Sequence, residues 1–468
     1  MKRVFRITGC IVATMLLAGN ITAQNGGIDA KLLQELKESY VPQGADKALQ
    51  NVMLSNPVNS LALSNDNQKE INTYFSNSVD SKGITDQESS GRCWLFTGMN
   101  VMRAKMIAEQ KLGAFEFSQV YSFFWDQLEK SNLFLQGIID TRKKSFDDRT
   151  VEWLFKNPLS DGGTFTGVSD LVAKYGIVPK GVMPETHTSN KTASFNNLLK
   201  RKLREFGLRI RQASEDGAKE KELQEIKKEQ LKTVYKMLVK VYGVPPTEFT
   251  WAPTDANGKL REEPQKYTPK SFYEKYIGWD LQNNYVMLMN DPTRPYWKSY
   301  EIEYDRHVYD GQNWLYVNLP LEEIKQMAIA SIKDSVMMYF SCDVGKYLDS
   351  KRGLLDIANY DYENLFGTTF GMNKRERIMT FDSGSSHAMT LKAVDLDKDG
   401  KPVKWQVENS WGASSGFKGT IIMTDEWFNE YMFRLVVDKK YVPAKVLDVL
   451  KEKPTKLPAW DPMFTPEE

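Results

Sequence analysis

Two hydrophobic periods share this chain, and their order limits the folds open to it. From Cys93 the apolar residues Leu95, Met99, Met102 and Met106 recur at spacings of four, three and four, one face of a helix. In the final third, SSHAMTLKAVDL and PVKWQVENSWG alternate as strands do, joined across the turn sequence Asp397-Lys398-Asp399-Gly400. A chain that reads as helical first and β-rich last points to an α+β fold.

The stretches between and around these segments fill in the order of elements. EFSQVYSFFWDQLEK (Glu116 to Lys130) reads as a second buried helix, rich in aromatics. SDGGTFTGVSDLVAKYGIVPK follows: a turn at Gly162-Gly163, an amphipathic helix, then Gly176 and Pro179 as stop signals. Residues 196–242 form a long charged block that favours helix, and Val244 to Pro269, rich in Pro and Thr, reads as a connector. FKGTIIMTDEWF adds a strand before a short helix. Residues 24–80 are polar and mixed, with a short helix at Asp29 to Tyr40. No internal repeat or low-complexity tract interrupts the pattern.

At 468 residues the chain is long enough for two to three structural units, and 12% aromatic residues argue against disorder. Lys+Arg total 62 against 61 Asp+Glu, so no net field singles out nucleic acid or a membrane as partner. The basic stretch Lys200 to Arg211 is read as a solvated helix face, because acidic residues alternate through the second half of its block.

The N-terminus sets the expected compartment. Lys2, Arg3 and Arg6 precede an apolar run from Ile7 to Ala18, too short to span a bilayer comfortably, and small residues follow to Thr22-Ala23. This is the order of a secretory signal peptide, so residues 1–23 are expected to be removed. The mature protein would be periplasmic or secreted, with no membrane attachment. Cys10 lies within the apolar run, without the small-residue site that lipidation would need before it. Cys93 and Cys342 would remain; they could pair, which sequence alone leaves open. A thiol kept free in an oxidising compartment needs a reason, and catalysis is one.

Several chemistries have little to build on. The three histidines, His187, His307 and His387, lie far apart and no H-E-x-x-H occurs, which argues against zinc. Asp395, Asp397, Asp399 and Gly400 imitate the start of a calcium loop, but its twelfth place is Gln406 and its flanks read as strands, so a hairpin turn explains them better. Neither a phosphate-binding loop nor a G-x-S-x-G serine motif is present, and no cofactor is expected.

Cysteine chemistry fares better. A thiol attacks as the thiolate, which a helix N-terminus favours, and a neighbouring imidazole can activate it and protonate a leaving amine. The imidazole needs a third group to orient it, and a tetrahedral intermediate needs two donors aimed at its oxyanion. Cys93 begins a helix; Gln87, six residues upstream, offers an amide donor beside the Cys93 N–H; His387 opens a strand; Asn409 ends the next, followed by Trp411, a shield for the Asn–His bond. Each residue alone is weak, since a lone Cys is commonly core filler. Their order along the chain is what carries the reading.

QESSGRCW, SSHAMTL and VENSWG resemble the active-site segments of papain-like cysteine peptidases, and more narrowly the bleomycin hydrolase/aminopeptidase C branch. The resemblance spans roughly residues 65–468 and includes EFSQVYSFFWDQLE, KGTIIMTDEWFNEYMFRLVVD and LPAWDPM. It implies a papain-like fold: a helical half (67–190, with Cys93) and a β-barrel-like half (301–440, with His387 and Asn409). An N-terminal extension (24–66), a helical insertion used for assembly (191–300) and a C-terminal arm entering the cleft (441–468) complete it. By the same resemblance Cys93 is the nucleophile, His387 its acid/base, Asn409 the orienting group and Gln87 part of the oxyanion hole. Gly162 and Gly163 run beside the substrate, where a bare backbone can approach a peptide closely.

In the resembled branch the chain ends inside the cleft and its terminal carboxylate meets the α-amino group of the substrate, giving an aminopeptidase. The subunits form hexameric cages. The expectation is therefore a homo-hexamer acting on peptides with free N-termini. Here the tail reads FTPEE where the branch has small and apolar residues, which puts the depth of the site and the part played by Glu468 in question. An endopeptidase of the same chemistry, and a non-catalytic cage binding peptide or nucleic acid, remain as alternatives.

Overall fold

A computed structural model describes residues 26–68 and 70–464. The signal-peptide expectation for residues 1–23 and the role given to Glu468 lie outside them. Two compact units divide between Leu63 and Ser64. The first holds helices Ala30–Glu38, Gly44–Ser55 and Val58–Ala62. Asp29 caps the first by accepting from the Leu32 N–H at 2.8 Å. Among the described residues no helix is long and apolar enough to cross a membrane.

The second unit carries the helical and β-rich parts. Its central helix, Cys93–Gln110, is buried on more than the face expected from the sequence: Trp94, Phe96 and Val101 are covered as well as Leu95, Met99, Met102 and Met106. A helix buried on most of its sides belongs in the middle of a core, and this one packs against both the helix Phe165–Tyr175 and the strand His387–Leu396. The aromatic helix begins where Ser118 accepts from the Tyr121 N–H and runs from Gln119 past Lys130 to Asp140.

The charged block forms two helices, Ala193–Glu215 and Glu220–Tyr242, broken at Gly217, whose φ of 98° few other residues adopt. They pack on Gln119–Asp140 and bury Leu199, Leu203, Phe206 and Ile210 from one helix and Leu223, Val234 and Leu238 from the other. In the basic stretch, Arg204 and Arg211 direct their guanidinium donors to the carbonyls of Phe155, Lys156, Thr141 and Lys144. The expected connector contains a small hairpin, Phe249–Trp251 with Gln265–Tyr267.

One large sheet forms the β-rich part. Its strands run in the spatial order Thr455–Leu457, Lys298–Ile302, Leu315–Asn318, Tyr285–Met289, Met432–Asp438, Met338–Cys342, His387–Leu396, Pro402–Glu408, Thr420–Thr424, Leu354–Leu355 and Leu348–Asp349. It begins earlier than the boundary expected at residue 301. Tyr285–Met289 and Lys298–Ile302, placed by sequence in a helical insertion, are strands of this sheet. Asp397 makes the hairpin turn by accepting from the N–H groups of Asp399 and Lys401, both at 2.9 Å, while Asp395 pairs with Lys404. These aspartates thus build a turn. Buried apolar clusters lie on the two faces of the sheet, one shared with the helical part and one with the helices Leu321–Lys333 and Asp425–Tyr431.

The C-terminal segment follows a fixed course over this body. Thr455–Leu457 adds a parallel strand to Lys298–Ile302. Asp461 then ion-pairs with Arg294, the Arg434 guanidinium donates to the Met463 carbonyl at 2.7 Å, and the Phe464 ring meets Trp153 at 5.5 Å.

Candidate active site

The loop before the thiol helix and the loop after Pro402–Glu408 are stitched together by backbone. Gln87 N–H donates to the Ser410 carbonyl at 2.8 Å and Gly412 N–H to the Thr85 carbonyl at 3.1 Å. Glu88 turns the chain with a φ of 53°. The Gln87 amide is then fixed at both ends: its Nε2 donates to the Ser90 carbonyl at 2.6 Å, and the Ser410 hydroxyl donates to its Oε1 at 2.7 Å. A carbonyl only accepts, so the first bond assigns the nitrogen end of the amide. One N–H of that nitrogen is taken by Ser90, and the second is available to another acceptor.

Cys93 is the first residue of its helix, and its N–H aims out of the helix end rather than into the helix. The residue before it, Arg92, is fully buried. Its guanidinium donates to the Ser90 hydroxyl at 2.9 Å and pairs with Glu185 at 2.7 Å. Ser90 in turn donates to the Gln87 carbonyl at 2.6 Å, so the turn between Gln87 and the thiol is braced from beneath.

His387 reaches the same place from the sheet. The N–H of Ala388 donates to Cys93 Sγ at 3.5 Å, which puts the start of this strand against the thiol. His387 Nε2 lies 2.9 Å from Asn409 Oδ1, and the Ser410 N–H also donates to that oxygen, at 2.8 Å. Two donors therefore identify the Asn409 oxygen. Nε2 carries the imidazole proton, and Nδ1 is the nitrogen without one. The Trp411 ring lies 4.8 Å from the imidazole and inclined at 33°, and His387 and Asn409 are each 2% exposed. A further brace crosses from the helix: Arg103 ion-pairs at 3.1 Å with Glu408, beside Asn409. Burial pushes the Glu408 carboxyl up, with Arg103 opposing it. Neither Cys93 nor Cys342 is in a disulfide.

Gly162 and Gly163 approach from the other side. Trp94, next to Cys93, donates from its indole nitrogen to the Asp161 carbonyl at 2.8 Å, and the Asp161 carboxylate accepts from the Gly91 N–H at 2.9 Å. The two glycines line a cleft with Lys130, His307, Trp153, Leu159 and Phe464, the last described residue of the C-terminal segment. Gln87, Cys93, His387, Asn409 and Trp411 thus converge directly, with Gly162 and Gly163 joined to them through Trp94. Among the described residues no group of acidic, His or Cys side chains is arranged to hold a metal.

Sequence reasoning passed over Ser410, Arg92 with Glu185, and the buried His307, whose Nδ1 lies 2.5 Å from Asp126 Oδ1. Ser410 stood inside the NSWG segment and could have been found there. The others have partners too distant in sequence to leave a local signal.

A thiol at a helix start, an oriented imidazole and two candidate donors for an oxyanion are the components of acyl transfer by a thiolate. Comparison with known proteins agrees. The sequence profile of the peptidase C1-like family matches residues 27–464. Aminopeptidase C of Lactobacillus delbrueckii subsp. lactis is 39% identical over 418 residues, covering 88% of this chain and 92% of that protein. Human bleomycin hydrolase is 40% identical over 426 residues, covering 88% and 93%. The crystal structure of PepW from Lactobacillus rhamnosis HN001 superposes with a TM-score of 0.89 at 37% identity, covering 95% of this chain and all of that one. The α+β architecture is papain-like, and the resemblance to the bleomycin hydrolase/aminopeptidase C branch extends over nearly the whole chain. The protein belongs to the peptidase C1-like family and is a cysteine-type peptidase.

Proposed function

We propose that the protein is an exported aminopeptidase that removes N-terminal residues from peptides through a Cys93 thioester. The observation that carries this reading is the His387–Asn409 bond, which leaves Nδ1 of the ring for a thiol that also receives the Ala388 N–H. The Cys93 thiolate attacks the carbonyl carbon of the first peptide bond. The oxyanion is met by the Cys93 N–H and the second N–H of the Gln87 amide. His387, carrying the thiol proton, gives it to the departing amine, and the shortened peptide leaves. Water then enters; His387 takes its proton, hydroxide adds to the thioester, and the thiolate leaves with the amino acid released. Asn409 keeps the ring in register through both steps, and Trp411 keeps water from their bond.

The limit to one residue comes from the C-terminal arm. Phe464 lines the cleft beside Gly162 and Gly163, and the four residues that follow it carry Glu467 and Glu468, whose negative charge suits an α-ammonium group. Assembly into a homo-hexamer and export by residues 1–23 belong to the same reading, the first by likeness to the branch and the second by the order of the N-terminal segment. The test compares a fluorogenic aminoacyl amide with its N-acetylated form. Cleavage of the free amine alone is expected, whereas equal cleavage of both would make the protein an endopeptidase.

A further inference from the structure

Against Gly162 and Gly163, with His307 and Lys130 lining the same cleft, lies a buried charged cluster that the thiol chemistry does not use. His307 is 3% exposed, with Nδ1 at 2.5 Å from Asp126 Oδ1, and the Thr164 N–H points to its Nε2 at 3.3 Å. A backbone N–H only donates, so Nε2 is the bare nitrogen and Nδ1–H donates to the Asp126 carboxylate. Both nitrogens are engaged, which removes the ring from proton transfer to a substrate. Lys130, one turn beyond Asp126 on the helix Gln119–Asp140, pairs with that carboxylate at 2.9 Å and donates to the carbonyls of Ser160 at 3.0 Å and Gly162 at 2.6 Å.

The cluster therefore grips three consecutive residues. Gly162 is held by its carbonyl and Thr164 by its N–H. Gly163 is held by contact, since a Cβ there, or at Gly167 on the following helix, would overlap the His307 ring. The ring also meets Trp94 edge-on at 4.5 Å, beside Cys93. Burial is the main reason the imidazole pKa lies below its ordinary value, with Lys130 adding to it and Asp126 opposing. Burying the Asp126–Lys130 pair costs desolvation that apolar side chains would avoid. What it provides here is directed bonding to a backbone segment that lies outside any helix or extended strand.

We infer that His307, backed by Asp126 and Lys130, is a positioning residue that holds the Gly162–Thr164 backbone in register for a peptide lying along it. The inference rests on the proposal that Gly162 and Gly163 run beside the bound substrate. Loosening this wall weakens binding but leaves the reactivity of Cys93 intact.

The test uses the full-length enzyme, a fluorogenic aminoacyl amide, and iodoacetamide as a probe of the thiol that needs no wall. In His307→Ala, KM should rise by about 10- to 100-fold, the scale on which small misplacements act. The kcat and the rate of Cys93 alkylation should stay within about threefold of the parent, well inside that range. His307→Gln should recover most of the loss, because its amide can accept from Thr164 and donate to Asp126. Lys130→Met, which keeps the ring and removes the Gly162 contact, should show the same split and serves if His307→Ala does not fold. A parallel fall in kcat and alkylation at unchanged KM would overturn the inference, as would a His307→Gln variant no better than the alanine. Cys93→Ala separates the two levels. An inactive Cys93→Ala beside unaffected His307 variants sinks the positioning role alone, whereas an active Cys93→Ala sinks the reading beneath it.

Discussion

The Ser410 hydroxyl donates to Gln87 Oε1 at 2.7 Å, joining the loop after one strand to the loop before the thiol helix across 323 positions of sequence. This bond and the one from Gln87 to Ser90 turn the amide nitrogen of Gln87 to a fixed direction. Ser410→Ala should therefore act on the transition state. A fall in kcat of about tenfold is expected, less than the roughly 10²–10³ that follows loss of an oxyanion donor outright. Steady-state kinetics of Ser410→Ala beside Gln87→Ala would measure both, and a Ser410→Ala effect confined to KM would contradict this role.

His387→Ala should lower kcat by about 10²–10⁴-fold, the usual contribution of a positioned acid/base. Asn409→Ala should lower it less, because the ring remains and only its orientation is lost. A single-turnover assay on both variants would show the order, and an Asn409→Ala loss exceeding that of His387→Ala would run against it.

The state of His307 predicts how stability depends on pH. Burial, aided by Lys130, holds the imidazole below its ordinary 6.5, while Asp126 pulls the other way. Burial disfavours the Asp126 charge, yet Lys130 and His307 outweigh it and hold that carboxyl below the usual range. An imidazole whose pKa is lowered by folding makes the unfolded chain the stronger proton binder. Its contribution is full above pH 6.5 and is lost as the pH falls below that value. Denaturant unfolding between pH 5 and pH 8 should show stability falling toward acid, with a shallower slope in His307→Gln; parallel slopes would count against it.

Leu203 is fully buried where the helix Ala193–Glu215 meets the helical core. Leu203→Ala should cost about 2–5 kcal/mol of stability and leave kcat near that of the parent at temperatures where the variant stays folded. Thermal unfolding beside an activity assay would check both.

Removing Thr465 to Glu468 should allow cleavage of N-acetylated substrates that the full chain refuses. Arg434 and Arg294 fix the segment up to Met463, so the body should melt at an unchanged temperature. Unchanged selectivity would argue that the tail does not set the depth of the site.

The sequence displayed the parts of the site that lie within short segments. The period from Cys93 marked its helix, and the alternation on either side of Asp397 marked the two strands that bring His387 and Asn409 together. What it did not display depends on pairs joined only by folding. Asp126 and His307 are 181 positions apart, and His307 read as one histidine among three. Arg92 read as an ordinary charge beside the motif, although folding seals it against Glu185. The sheet boundary was misplaced because Tyr285–Met289 is a short apolar run next to a helical block, and only its pairing with Met432–Asp438 makes it a strand of the sheet.

Alkylation of the intact enzyme with iodoacetamide, followed by peptide mapping, tests the chemistry most directly. Loss of aminoacyl-amide hydrolysis should track modification of Cys93 one for one, while Cys342, equally buried but outside a helix start that favours the thiolate, stays unmodified. Activity that survives complete modification of Cys93 would contradict a thiolate mechanism at this site.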